Sequence, residues 1–382
     1  MDNIGVIGAG AMGSGIAQIA ATAGHDVMIY DLNEEARIKS RDKLLAILNR
    51  LATKGRITDG DAKAIFSRIY FIDKLEDLKN CKVVIEAIIE NLEIKKKVFS
   101  QLEEICAEDV ILATNTSSLS VASIAAACKN PERVIGIHFF NPAPVMKLVE
   151  IIPAIQTADR TTQGSLDLIN SWGKMTVIAK DTPGFIVNRV ARPFYGEALR
   201  VYEEGVASPA TIDWVMKEIG GFRMGPFELM DYIGHDVNYK VTETVWKAFY
   251  YDPRYKPSFA QKVLVDAGYL GRKSGKGFYE YGESSTAPEP VKDMVAGKKI
   301  FDRIIVMLIN EAADALFWEI ASYEDIESAM KNGVNYPKGL LEWGKELSYT
   351  HCVTLLDDLQ SYYKEDRYRC SPWLRNQITQ QA

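Results

Sequence analysis

The sequence has few cysteines and histidines, and neither type is arranged as in a cross-linked or metal-bound fold. Its five cysteines are scattered without a C-x-x-C pair, which argues against a disulfide framework or a zinc site and indicates a reducing, cytoplasmic location. No apolar run approaches the length of a membrane span, and we expect no signal peptide before the strand-like run at residues 4–7. The formal net charge of −6 disfavours nucleic acid as a partner.

What the sequence does contain is an alternation of short Val/Ile-rich runs with longer amphipathic ones over its first 180 residues. This alternation predicts an α/β domain with a largely parallel sheet over residues 1–180. A mainly α-helical pattern follows, in which we expect Pro183 to open a helix. We assign residues 181–282 to a first helical domain and, after a linker rich in Gly, Ser and Pro, residues 291–382 to a second one.

The second helical segment repeats the first at several positions. The matching pairs are Arg189/Arg303, Glu197/Glu311, Ala198/Ala312, Ile212/Ile326, Met216/Met330 and Lys217/Lys331. All of them share one offset (303 − 189 = 114 and 331 − 217 = 114). We interpret this as an internal duplication. The second copy is partial, because it lacks the glycine-rich tail at residues 268–281.

A G-x-G-x-x-G motif follows the first predicted strand and opens a helix, which indicates a Rossmann-type dinucleotide-binding domain. Gly8 allows the tight turn, Gly10 lets a pyrophosphate approach the helix N-terminus, and Gly13 lets the helix pack on the sheet. Asp31 ends the second strand, where a carboxylate can accept both ribose hydroxyls of NAD and repel the extra phosphate of NADP. A glycine turn without a ligand is the alternative, which this strand–turn–helix context disfavours.

Two further polar groups follow strands. The run Thr114–Ser118 lies at the carboxyl end of a strand, and helix capping explains one or two of its five polar residues. His138 is the one histidine of four that ends an apolar strand, and Glu150 lies on the next strand across a proline-containing turn. We expect the two to meet, so that the carboxylate orients the imidazole and stabilises its charged form. A buried histidine with a purely structural role is the alternative.

Residues 37–56 contain seven basic residues and one acidic residue. Lys43, Arg50 and Lys54 fall near one helical face, which suits a polyanionic ligand such as coenzyme A. A solvated helix face is the alternative for most of these residues.

These motifs carry a resemblance to the 3-hydroxyacyl-CoA dehydrogenases, nearly continuous from Ile4 to Tyr281. The tail resembles the second helical copy of longer members. The motifs are GAGAMGSGIA from Gly8, IEAIIEN at Ile85–Asn91, TNTSSLS at Thr114–Ser120, HFFNPAPVMKLVEI at His138–Ile151, DTPGFIVNR at Asp181–Arg189 and LGRKSGKGFYEY at Leu270–Tyr281.

The resemblance implies NAD-dependent, reversible oxidation of an (S)-3-hydroxyacyl-CoA to a 3-oxoacyl-CoA. It implies that His138 is the catalytic base and Glu150 its partner, and that no metal takes part. Ser117 resembles the serine that contacts the reacting oxygen, and Asn188 the asparagine that holds the substrate carbonyl. Asn141 and Lys54 are further implied substrate contacts, Lys54 toward coenzyme A. The implied cofactor-binding residues are Gly8, Gly10, Met12, Gly13, Asp31, Glu90, Lys95 and Asn115.

The identity of the substrate stays open at this stage. A short-chain substrate such as 3-hydroxybutyryl-CoA is our first expectation, and 3-hydroxyadipyl-CoA or another dicarboxylic thioester is an alternative. A sugar-acid dehydrogenase of the gulonate type and a non-catalytic NAD-binding structural protein are further alternatives, which the intact HFFNP motif and the basic stretch disfavour. We expect no membrane partner, a homodimer or a pseudo-dimeric monomer built on the duplicated helices, and a separate hydratase and thiolase acting in the same pathway.

Overall fold

The computed structural model describes residues 2–283 and 285–379, and the chain divides between Thr182 and Pro183 into two compact units. Residue 284 of the predicted linker and residues 380–382 of the last predicted domain lie outside the described residues. The strands of the first unit are β1 (Asn3–Ile7), β2 (Asp26–Tyr30), β3 (Ile69–Ile72), β4 (Val83–Glu86), β5 (Ile111–Thr114), β6 (Val134–Phe139), β7 (Leu148–Pro153) and β8 (Met175–Ile178). Its helices are α1 (Ala11–Thr22), α2 (Glu34–Thr53), α3 (Asp59–Ser67), α4 (Leu92–Ile105), α5 (Val121–Ala125) and α6 (Asp159–Ser171).

Over the described part of the chain, these eight strands form one sheet in the order β3-β2-β1-β4-β5-β6-β7-β8. The strands from β3 to β6 pair in parallel, β7 is antiparallel to β6, and β8 is parallel to β7. The order reverses at β1, which lies between β2 and β4, and open α/β sheets bind ligands at the carboxyl ends of the strands at such a point. The predicted α/β Rossmann-type fold is confirmed.

The apolar runs form strands because both faces of the sheet are covered. Ile4, Val6, Ile85 and Ile137 are fully buried, as is typical of parallel strands packed between two layers of helices. Small residues of α1, such as Ala17 and Ala20, are also fully buried. This core fixes the strand ends that carry the polar residues.

The second unit is mainly helical, as predicted. Its helices are α7 (Val187–Val190), α8 (Arg192–Glu203), α9 (Pro209–Glu218), α10 (Pro226–Ile233), α11 (His235–Ala248), α12 (Phe259–Asp266), α13 (Met294–Phe317), α14 (Tyr323–Gly333), α15 (Leu340–Leu347), α16 (Tyr349–Tyr363) and α17 (Pro372–Thr379). The expected helix start at Pro183 is wrong. Gly184 and Phe185 have φ values of +75° and +48°, outside the right-handed helical region, so the chain turns first and α7 begins at Val187. Among the described residues, none of the helices combines the length and apolarity that crossing a membrane requires.

The sequence offset of 114 is also the offset between helices of the second unit. Helix α9 begins at Pro209 and α14 at Tyr323 (323 − 209 = 114). In both copies, a carboxylate also accepts hydrogen bonds from the first backbone N–H groups of the following helix. The Asp213 carboxylate accepts hydrogen bonds from the N–H groups of Phe227 and Glu228 at the start of α10, and the Glu327 carboxylate does so for Leu341 and Glu342 at the start of α15.

Candidate active site

The glycine loop joins β1 to α1 where the strand order reverses. Gly8 has φ +104°, and a Cβ there would lie 2.6 Å from the carbonyl oxygen of Ala87, so the turn requires glycine. A Cβ on Gly13 would lie 1.8 Å from the carbonyl oxygen of Gly8, so glycine is required at this position for α1 to pack this closely against the loop. A Cβ on Gly10 would meet nothing within 4 Å. This open space at the N-terminus of α1, beside half-buried Met12 in its first turn, fits a pyrophosphate.

Asp31 directly follows β2 and faces the glycine loop. Its Oδ2 accepts a hydrogen bond from the Ala9 N–H at 2.7 Å, and its Oδ1 accepts one from the Asn33 N–H at 2.9 Å. The carboxylate is therefore fixed at the end of the second strand, where the sequence predicts an NAD ribose contact.

Lys95, on α4, belongs to a buried network of charges at the end of β4. Its Nζ is 2.6 Å from Glu86 Oε1 and 3.4 Å from Glu90 Oε2, and its side chain is 1% exposed. Glu86 ends β4 and also accepts hydrogen bonds from the Ile88 N–H and the Thr114 hydroxyl. Sequence reasoning missed Glu86, and the signal available was a charged residue that ends an apolar strand inside the IEAIIEN motif.

Glu90 holds the polar run that follows β5. Its Oε1 accepts hydrogen bonds from Thr116 Oγ1 at 2.6 Å, the Ser117 N–H at 3.0 Å and Ser118 Oγ at 3.1 Å. Burial raises the pKa of Glu90, but Lys95 and these hydrogen bonds outweigh it, so the pKa lies below its ordinary value. An ionised Glu90 therefore fixes the backbone that carries Ser117.

The predicted contact between His138 and Glu150 is present. The two residues are directly opposite each other on the antiparallel strands β6 and β7, and His138 Nδ1 lies 2.7 Å from Glu150 Oε2. Both side chains are buried. A carboxylate can only accept a hydrogen bond, so Nδ1 carries the proton and Nε2 is the basic nitrogen of the ring.

The neighbouring strand ends are also tied together. Asn115 Oδ1 accepts a hydrogen bond from the Phe139 N–H at 2.8 Å, which links the end of β5 to the end of β6. Asp181, which sequence reasoning did not single out, caps α5. Its carboxylate accepts hydrogen bonds from the Val121 and Ala122 N–H groups and from the Ser120 hydroxyl. Glu90 thus fixes the polar run itself, and Asp181 fixes the start of the helix that follows it.

The remaining predicted site residues are Asn141, Lys54 and Asn188. Asn141 is exposed in the turn between β6 and β7, joined to Pro142 by a cis peptide bond. Lys54 is exposed just after α2, and Lys43 and Arg50 are exposed on that helix. Asn188 lies on α7 of the second unit.

Comparison with protein families gives two matches. Residues 3–182 match the model described as 3-hydroxyacyl-CoA dehydrogenase, NAD binding domain. Residues 184–281 and 300–381 match the model described as 3-hydroxyacyl-CoA dehydrogenase, C-terminal domain. The second match covers both helical copies.

Individual relatives share the sequence and the architecture. The 3-hydroxyadipyl-CoA dehydrogenase of Escherichia coli is 39% identical, over 98% of this chain and 97% of the relative. The 3-hydroxybutyryl-CoA dehydrogenase of Bradyrhizobium diazoefficiens is also 39% identical, over 75% of this chain and 97% of the relative. The crystal structure of a 3-hydroxybutyryl-CoA dehydrogenase from E. coli superposes with a TM-score of 0.92 at 37% identity, over 98% of both chains.

Proposed function

The chain belongs to the 3-hydroxyacyl-CoA dehydrogenase family, and we propose that it interconverts short-chain (S)-3-hydroxyacyl-CoA thioesters, such as 3-hydroxybutyryl-CoA, with their 3-oxoacyl-CoA counterparts. Its cofactor is NAD. The observation that carries the proposal is the buried His138–Glu150 pair, with Nδ1 and Oε2 2.7 Å apart. A histidine held in this way presents an oriented ring nitrogen that can act as a general base.

In the proposed mechanism, His138 Nε2 takes the proton of the 3-hydroxyl while Nδ1 stays hydrogen-bonded to Glu150. When bound, NAD supplies the hydride acceptor for C3. Glu150 balances the positive charge that develops on the imidazole, and Ser117 and Asn188 hold the substrate oxygens. Asp31 and the glycine loop bind the dinucleotide, with Lys95, Asn115 and Glu90 supporting its site. General base catalysis of this kind contributes about 10²–10⁴ in rate.

A dicarboxylic substrate is the second candidate. The E. coli relative that matches this chain over both helical copies is described as a 3-hydroxyadipyl-CoA dehydrogenase. The two candidates differ at the far end of the acyl group, where a carboxylate needs a cation or hydrogen-bond donors and a methyl group needs an apolar surface.

The deciding experiment measures kcat/KM for 3-hydroxybutyryl-CoA, 3-hydroxyhexanoyl-CoA and 3-hydroxyadipyl-CoA, with gulonate as the sugar-acid control. We expect the highest value for 3-hydroxybutyryl-CoA and no turnover of gulonate. A higher value for the adipyl thioester would assign the dicarboxylic substrate instead. Turnover of gulonate without turnover of any thioester would overturn the proposal.

We also propose that Lys54 and the neighbouring basic residues contact coenzyme A.

We further propose that the two helical copies pair within one chain as a pseudo-dimer. The pairing is supported by the helix offset of 114 (323 − 209) and by the packing of α8 against α13. We further propose that a separate hydratase and a separate thiolase act in the same pathway.

A further inference from the structure

Two buried ion pairs cross between the helical copies of the second unit. Arg189 Nε of the first copy lies 2.6 Å from Glu311 Oε1 of the second. Arg303 Nε of the second copy lies 2.6 Å from Glu197 Oε1 of the first. The four residues are equivalent in pairs (189 + 114 = 303 and 197 + 114 = 311), so the same contact is built twice.

The two contacts differ in what precedes the arginine. Asn188 precedes Arg189, whereas Asp302 occupies the equivalent position before Arg303 (188 + 114 = 302). The Asp302 carboxylate pairs with Lys298 one helical turn away. The amide that our proposed mechanism uses is therefore present in the first copy alone, and the second contact provides an internal control for the first.

The first contact fixes the short helix that carries Asn188. Helix α7 packs against α13 and α14 of the second copy. Glu311 is fully buried, and it also accepts hydrogen bonds from Tyr255 Oη at 2.5 Å and from Arg254 Nη1 at 3.1 Å. The Arg189 guanidinium lies 5.2 Å from the centroid of the Phe249 ring. Arg189 is thus held on one side by a charge and on another by an aromatic ring.

The protonation state of Glu311 is consistent with this contact. Burial raises the pKa of Glu311, but Arg189 and Arg254 outweigh it and hold the pKa below its ordinary value. The same balance, with Arg200 and Arg303, lowers the pKa of Glu197. Both carboxylates are therefore charged acceptors at neutral pH.

We propose that Glu311 is a positioning residue for the dehydrogenase reaction: through Arg189 it fixes α7 and thereby directs Asn188 at the substrate carbonyl. The inference rests on the proposed role of Asn188. The second helical copy thus supports the proposed substrate contact of the first copy through this ion pair. A four-residue helix has little stability of its own, so its orientation depends on such tertiary contacts.

The test compares Glu311→Gln with its matched control Glu197→Gln. Each variant removes the charge of a carboxylate that pairs with two buried arginines at an equivalent position, so we expect similar losses of thermal stability. We expect Glu311→Gln to lower kcat/KM for 3-hydroxybutyryl-CoA about tenfold or more, because small misplacements of positioning groups are costly. Glu197→Gln should stay within about threefold of wild type. NAD affinity should not change in either variant. Equal losses in the two variants, or no loss in Glu311→Gln, would overturn the proposal.

Further variants keep the inference testable. If Glu311→Gln does not fold, Arg189→Lys and its control Arg303→Lys retain the charge and make the same comparison under the same criteria.

Asn188→Ala separates this inference from the proposed function. If Asn188→Ala is fully active, the role of Asn188 fails. If it loses activity but the variants at Glu311 and Arg189 do not, only the positioning role fails. If Glu311 acts through Asn188, Glu311→Gln should cost little more in the Asn188→Ala background, and a full multiplicative loss would contradict the inference.

Discussion

Asp31 and Ala9 are joined by a hydrogen bond of 2.7 Å, from the backbone N–H of Ala9 to the carboxylate of Asp31. The bond fixes the carboxylate beside the glycine loop, so its negative charge should exclude a ribose phosphate. We expect wild-type kcat/KM to favour NAD over NADP. Asp31→Ser should reduce that preference about tenfold or more, since both a charge repulsion and a hydrogen-bond acceptor are lost. Asp26→Ser, at the opposite end of β2, is the control and should leave the preference unchanged. Equal use of the two cofactors by wild type would contradict the assignment.

Lys95 makes a separate prediction about stability. Lys95→Met leaves Glu86 buried without its cation, and breaking such a pair costs about 3–5 kcal/mol. The adjacent Lys96→Met removes an i,i+3 pair with Glu93, whose side chain is 80% exposed, and should cost about 1 kcal/mol or less. Urea unfolding of the two variants checks the difference. Similar unfolding midpoints would show that the buried pair contributes no more than the exposed one.

The sheet was predictable wherever burial on both faces selects Val and Ile. Strand β3 (Ile69–Ile72) was not predictable in this way, because it is short, follows α3 almost directly and lies at the edge of the sheet, where Tyr70 is exposed. The turn at Gly184 and Phe185 was missed for another reason. A proline indicates where a helix can begin, but it does not reveal the positive φ values that delay α7.

Contacts within the candidate site were predictable where the two partners are close in sequence. His138 and Glu150 follow from two strands joined by a short turn. The contacts made by Glu86 and Asp181 do not, because their partners come from other elements: Thr114 is 28 residues from Glu86, and Val121 is 60 residues from Asp181. Sequence patterns identify a charged residue at a strand end, but they do not say which strand end it will face.

Deletion of residues 291–382 tests the role of the second helical copy. In the full chain α8 packs on α13, and Phe194, Ala198 and Val201 of α8 are buried. We expect the truncated protein to associate or aggregate, because it exposes this apolar face and leaves Arg189 without Glu311. Light scattering coupled to size exclusion would compare it with the full chain, for which we expect a monomer. A truncated protein that stays soluble with an unchanged oligomeric state would argue against a pseudo-dimer.

The last prediction concerns Glu150, which is fully buried opposite His138. Glu150→Gln preserves shape but removes the charge that stabilises imidazolium, an interaction that matters most in the transition state. We therefore expect kcat to fall about 10²-fold or more. NAD affinity should change little because the glycine loop is untouched, and the melting temperature should change little because the shape of the buried side chain is preserved. His138→Gln should be as damaging, and the double variant far less than multiplicative, because the two residues act as one unit. Stopped-flow and steady-state kinetics on the three variants measure this. Fully multiplicative losses would mean that the residues act independently, and a near-normal kcat for Glu150→Gln would leave His138 as a base without a partner.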